Sequence, residues 1–170
     1  MATSLPTGFS VSIDPGGLRF SAAHFITYGG SCENLHGHNF HVRIDAHGNN
    51  SDDELVVDFV LLTRLAQAVC DQLHDKVLVP GKSPVVQQTG ENGLVHVRSY
   101  DKYFVFPEDN VCVLPIANTT AEMLAWHVGE QLLATLRETT DISNLAILEI
   151  AVEEADRQWG ISRRVLRDDR

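Results

Sequence analysis

Residues 32–47 read Cys32-Glu33-Asn34-Leu35-His36-Gly37-His38-Asn39-Phe40-His41-Val42-Arg43-Ile44-Asp45-Ala46-His47. Phe40, Val42, Ile44 and Ala46 fall at alternate positions, with Asn39, His41, Arg43 and Asp45 between them. A period of two is the mark of a half-buried strand. His36 and His38 open that strand, so their imidazoles point to one face, and Gly37 leaves room between them. His24 ends an earlier strand-like run, 18–25, on the face that carries Phe20 and Ala22. An adjacent antiparallel strand brings it beside the pair. Three neutral imidazoles with one open position make the arrangement of catalytic zinc. Nitrogen ligands favour zinc over magnesium or calcium. Ordinary polar histidines are the plain alternative, which the third histidine and the nearby Cys32 weigh against. His41, His47, His96 and His127 lack matching partners and read as ordinary side chains.

Outward from this strand, 9–14 and 18–25 form two strands around the turn Asp14-Pro15-Gly16-Gly17. Residues 58–74 predict a helix with Asp58 as N-cap and Leu61, Leu62, Leu65, Val69 and Leu73 as its apolar stripe. Residues 119–137 predict a second, with Thr119 and Glu122 as a capping box and Leu124, Val128, Leu132 and Leu136 as the stripe. Residues 145–154 alternate, placing Leu148, Ile150, Val152 and Glu154 on one face, and 158–167 pair back after a turn near Asp156. The long segment 79–117 contains alternating runs at 94–98 and 102–106, which predict an inserted hairpin. Strands grouped with helices on one face make an α+β domain with a mainly antiparallel sheet. No linker or repeat divides it, so residues 1–170 form one domain.

The net charge of −10 argues against non-specific nucleic-acid binding, which needs a basic surface. No apolar run approaches the roughly 20 residues that span a bilayer. Met1 to Gly8 lacks the basic start and apolar stretch of a signal peptide, so a cytoplasmic location is expected. Cys32, Cys70 and Cys112 are odd in number and widely spaced, and read as free thiols. Cys70 and Cys112 sit in apolar settings, and Trp126 and Trp159 read as packing residues.

The set Phe20-Ser21-Ala22-Ala23-His24, Cys32-x-x-x-His36-Gly37-His38, Val57-Asp58-Phe59 with Leu62, Asn118-Thr119-Thr120-Ala121-Glu122 and Val152-Glu153-Glu154 resembles the 6-pyruvoyl-tetrahydropterin synthase family, which includes the 6-carboxy-tetrahydropterin synthases. The resemblance implies the T-fold, a four-stranded antiparallel sheet with two helices on one face. It implies homotrimers paired into hexamers, with active sites between subunits. It implies 7,8-dihydroneopterin triphosphate as substrate, with expulsion of triphosphate and no redox cofactor. On this sequence it implies His24, His36 and His38 as zinc ligands, Cys32 as the proton-abstracting base, Glu154 as the pterin anchor, and Thr120, Ala121 and Glu122 as pocket lining.

Two departures from the family pattern stand out. The family's Asp-His pair at the end of the first helix is His74-Asp75 here, in reversed order. A helix turns about 100° per residue, so the swap redirects each group if the chain there is helical. The insertion at 79–117 is longer than the family norm and is placed to reshape the pocket rim.

A carboxylate suits the amidine-like edge of a pterin, because it accepts two of its hydrogen bonds at once. Cys32 needs its pKa lowered to act near neutrality, which zinc charge or a protonated His74 supplies, and it is also a candidate fourth ligand of the empty site. For the triphosphate, Arg19, Arg43, Lys76, Lys82, Arg98 and Lys102 are the candidate cations. The competing functions are an aldolase-type side-chain cleavage on the same zinc site and a non-catalytic pterin- or purine-binding module.

Overall fold

The computed structural model describes residues 8–14 and 16–167. Pro15 of the expected turn and all but the last residue of Met1–Gly8 lie outside them. Strands β1 (Phe9–Ile13) and β2 (Arg19–His24) both lie against β5 (His36–Gly48), β1 along its second half and β2 along its first. Between β2 and β5 a small hairpin, β3 (Thr27–Tyr28) and β4 (Ser31–Cys32), turns through Gly29 and Gly30, both at positive φ. Helix α1 (Phe59–Leu73) follows, capped by the Asp58 carboxylate on the Leu61 amide at 2.7 Å. After it come β6 (Lys76–Pro80), β7 (Gln87–Glu91), β8 (Leu94–Ser99), β9 (Lys102–Pro107) and β10 (Val111–Leu114). Helix α2 (Ala121–Thr139), β11 (Leu145–Ala155) and β12 (Gln158–Val165) complete the chain.

The predicted α+β class holds, but the sheet is larger than four strands. Among the described residues seven strands join in one sheet, in the order β10-β6-β2-β5-β11-β12 with β1 also on β5. Pairings among β1, β2, β5, β11 and β12 are antiparallel, whereas β6 runs parallel to β2 and β10 parallel to β6. These two short strands are the ends of the 79–117 segment and its approach. The predicted hairpin is the β8–β9 pair, extended by β7 into a separate three-stranded sheet.

Alternation puts Phe20, Phe40, Val42, Ile44, Leu148, Ile150 and Val152 on one sheet face, where they pack with Leu62, Val69 and Leu73 of α1 and Leu124, Val128, Leu132 and Leu136 of α2. A second apolar cluster of Phe25, Cys32, Val79, Val86 and Val97 joins the inserted sheet to the β3–β4 hairpin. Among the described residues, no helix is long and apolar enough to cross a membrane.

Candidate active site

The register of β2 on β5 sets His24 directly opposite His36 and Ala22 opposite His38. All three imidazoles emerge on the helix-covered face, with ring centroids 4.5, 5.3 and 5.1 Å apart. Glu154 arrives on the same face from the end of β11. Its Oε1 lies 3.8 Å from His24 Nε2 and 3.7 Å from His38 Nε2. One ligand atom from each of the four residues falls within 4.8 Å of the others. The predicted triad is therefore brought together, and Glu154, expected at the pterin, stands at the same point. Cys32 is not in this group.

Hydrogen bonds fix the tautomers. His24 Nδ1 lies 2.9 Å from the Thr119 carbonyl and His36 Nδ1 lies 2.8 Å from the Asn34 carbonyl. A carbonyl only accepts, so Nδ1 carries a proton in both rings, and in the neutral form of such a ring Nε2 keeps its lone pair. His24 Nε2 and His38 Nε2 are buried with no hydrogen-bond partner among the described residues. Burial pushes the His24 imidazole down to about 4, against the opposing pull of the Thr119 carbonyl, so the ring is neutral at pH 7. Burial also raises the Glu154 carboxyl above the usual carboxylate range, though His38 and His36 draw it back. Buried lone pairs without donors are costly, and a cation among them removes the cost. Imidazole nitrogens plus a carboxylate fit a zinc-type ion.

The second helix begins one residue later than the capping-box reading. Thr120, not Thr119, is the N-cap, its hydroxyl accepting the Met123 amide at 3.4 Å. Thr119 is buried and serves the site instead. Its Oγ1 donates to the Phe25 carbonyl at 2.7 Å, and its own carbonyl holds His24. Glu122 is exposed at the start of α2, and its charge acts on Glu154. Ala121 lies under β12 at Gly160.

Cys32 is buried, and its thiol donates to the Glu33 carbonyl at 3.4 Å. Burial raises its pKa, while the Ser99 hydroxyl and the Lys102 ammonium act in the opposite sense. Both come from the insertion. Lys102 also donates to Asn34 Oδ1 at 2.8 Å. These contacts were invisible in the sequence, which offered zinc or His74 as the cause of any shift.

His74 and Asp75 lie beyond α1. His74 is extended and Asp75 has φ +56°, so helical geometry does not govern their directions and the reversed order carries no 100° penalty. His74 Nδ1 accepts the Ser21 amide at 3.1 Å, the Asp75 amide donates to the Ser21 carbonyl at 2.7 Å, and the two side chains are 3.6 Å apart. Asp75 helps line a depression of about 450 Å³ with Ser21, Ala23, Gly37, His38 and Asn39. Neither His74 nor Asp75 belongs to the four-residue group of His24, His36, His38 and Glu154.

Of the candidate cations, Arg43 is held by Asp45 and Glu149, Lys76 by the Asp109 carbonyl, and Arg98 lies over Tyr103. Trp159 lies beneath Arg43, and Trp126 packs on the core as expected. Another depression, of about 760 Å³, is at the far end of the sheet between Asn49–Asp58 and Thr140–Asn144, away from the histidines.

A family model described as 6-pyruvoyl tetrahydropterin synthase matches residues 17–164. A Methanocaldococcus jannaschii protein, provisionally named a 6-carboxy-5,6,7,8-tetrahydropterin synthase, is 28% identical over 151 residues, covering 88% of this chain and 92% of its own. Plasmodium falciparum 6-pyruvoyl tetrahydropterin synthase aligns in structure with a TM-score of 0.83 at 28% identity, covering 93% of this chain and 98% of that one. The Plasmodium vivax enzyme gives a TM-score of 0.83 at 26% identity with coverage of 93% and 98%. It has also been solved as variants of a catalytic glutamate.

Proposed function

The chain belongs to the 6-pyruvoyl tetrahydropterin synthase family, and on that premise we propose that it is a zinc-dependent lyase acting on 7,8-dihydroneopterin triphosphate. It expels triphosphate and yields 6-pyruvoyl-tetrahydropterin, which keeps all three side-chain carbons, or 6-carboxy-tetrahydropterin, with the other two carbons leaving as a two-carbon aldehyde. The observation that carries this reading is the convergence of His24, His36, His38 and Glu154, with two buried Nε2 atoms lacking partners. The imidazoles of His24, His36 and His38 would hold the ion. Zinc, when bound, supplies Lewis-acid stabilisation of negative charge on the substrate's side-chain oxygens. Glu154 accepts two hydrogen bonds from the pterin edge, a bidentate charge-assisted contact that orients the ring. Cys32 takes the carbon-bound proton. Thr120 to Glu122 line the ring pocket at the start of α2.

His74 and Asp75 assist Cys32 from a neighbouring subunit, which accounts for their place outside the four-residue group within one chain. The active form is accordingly a trimer or hexamer, acting in the cytoplasm.

A second reading of the base is supported by the site. The Cys32 thiol is buried and turned to a carbonyl, whereas the adjoining Glu33 is exposed and its charge acts on Glu154. A catalytic glutamate operates in the similar Plasmodium vivax enzyme. In this reading Glu33 takes the proton and Cys32 packs.

The test is mass spectrometry of products from zinc-loaded protein and dihydroneopterin triphosphate, with C32A and E33Q alongside. A pyruvoyl or carboxy product selects the branch, and the variant that abolishes it identifies the base. Aldehyde release with the triphosphate intact would instead mark aldolase-type cleavage. Unchanged substrate would overturn the lyase reading.

A further inference from the structure

The turn of the inserted hairpin reaches the loop that carries Cys32. Ser99 and Lys102 pair across it at the ends of β8 and β9. Tyr100 within it takes φ +51°, as two-residue hairpin turns of this kind require. Lys102 Nζ donates to Asn34 Oδ1, and the Asn34 carbonyl accepts His36 Nδ1. One inserted lysine thus ties the loop that orients a histidine of the cluster.

Ser99 is 1% exposed, and its Oγ is buried without a hydrogen-bond partner. It lies beside the Cys32 sulfur. A buried hydroxyl left unpaired is destabilising and calls for an explanation. The protonation state of Cys32 provides one. As a thiol the sulfur is a donor, and its proton goes to the Glu33 carbonyl. As a thiolate it is an acceptor only, which that carbonyl repels and a hydroxyl satisfies. Ser99 is therefore idle in the thiol state and placed for the thiolate.

We propose that Ser99 and Lys102 are positioning residues supplied by the insertion, Ser99 holding the reacting form of Cys32 and Lys102 holding the Asn34 to His36 loop. The inference rests on Cys32 being the base. The charged groups facing the sulfur are Lys102 and Asp101 of the hairpin and Glu33 of its own loop. Phe25, Val79, Val86 and Val97 around it are apolar and offer no side-chain donor.

The experiment is alkylation of Cys32 by iodoacetamide across pH, read on the Cys32 peptide by mass spectrometry, in metal-loaded wild type, S99A, S99T and K102M. The S99A profile moves up by about one pH unit, so alkylation near neutrality slows about tenfold. Its melting temperature stays level or rises, because alanine removes an unpartnered buried hydroxyl. S99T restores the wild-type profile, and K102M moves it in the same direction as S99A. An S99A profile superimposed on wild type overturns the proposal. Equal shifts in S99A and S99T with lower melting temperatures also overturn it, since that pattern is packing alone. Triphosphate release retained by C32A overturns the base assignment instead, and the alkylation profiles distinguish the two failures.

Discussion

His24 Nδ1 is bonded to the Thr119 carbonyl at 2.9 Å, across 95 residues of sequence, and this contact turns Nε2 toward Glu154. Thr119 is itself fixed by its hydroxyl on the Phe25 carbonyl. T119V keeps the shape and removes that hydroxyl, leaving a buried carbonyl unpaired at a cost of about 1–3 kcal/mol. Outer partners of ligating histidines are typically worth about tenfold or more in metal affinity. T119V is expected to weaken zinc by about tenfold in a chelator competition and to lower the denaturation midpoint. Unchanged affinity would show that His24 needs no such brace.

His74 stands apart from the four-residue cluster, bonded to the main chain of β2 at Ser21. H74A is therefore expected to leave zinc affinity within about twofold, whereas loss of a group that assists proton transfer typically costs about 10²-fold or more in rate. Triphosphate release and chelator competition, measured on the same preparation, separate the two. A parallel loss of zinc would place His74 in the metal's support instead.

The histidine triad is readable in the sequence because a two-residue spacing on a strand fixes side-chain direction locally. The register that sets His24 opposite His36 needs only an antiparallel neighbour. Thr119 is misread because consecutive threonines offer the same capping chemistry, and what decides between them is a carbonyl needed at His24. β6 and β10 escape notice because short apolar runs carry no period that tells a parallel edge strand from a loop. Ser99 and Lys102 escape for another reason. Lys102 meets Asn34 across 68 residues, and no local pattern reports a contact made by chain fold-back.

Gly160 of β12 lies against the first turn of α2, where an added Cβ would collide with the Ala121 carbonyl carbon and the Glu122 amide nitrogen. Both are backbone atoms and neither can rotate away. Overpacking of this kind costs about 1–3 kcal/mol, occasionally more. G160A is expected to lose about 3 kcal/mol in urea denaturation, and to weaken binding at the proposed pterin pocket because it displaces the segment Thr120 to Glu122. A variant as stable as wild type would mean that α2 shifts freely at its start.

His127 of α2 is buried, its Nδ1 has no partner, and burial holds its pKa below the ordinary histidine value. The folded chain thus keeps the ring neutral while the unfolded chain, with a pKa of about 6.5, takes up a proton first. Between the two pKa values the unfolded state binds more protons, so stability rises with pH there. Stability against unfolding is whole above about pH 6.5 and falls as the pH drops toward the folded value. H127L removes the titration and the unpartnered nitrogen together. Denaturation of metal-free wild type and H127L at pH 7.5 and pH 5 measures the difference directly. The variant is expected to match or exceed wild type at pH 7.5 and to lose less on acidification. Since every other titrating group is common to both chains, equal losses would mean that His127 is protonated alike in the folded and unfolded states.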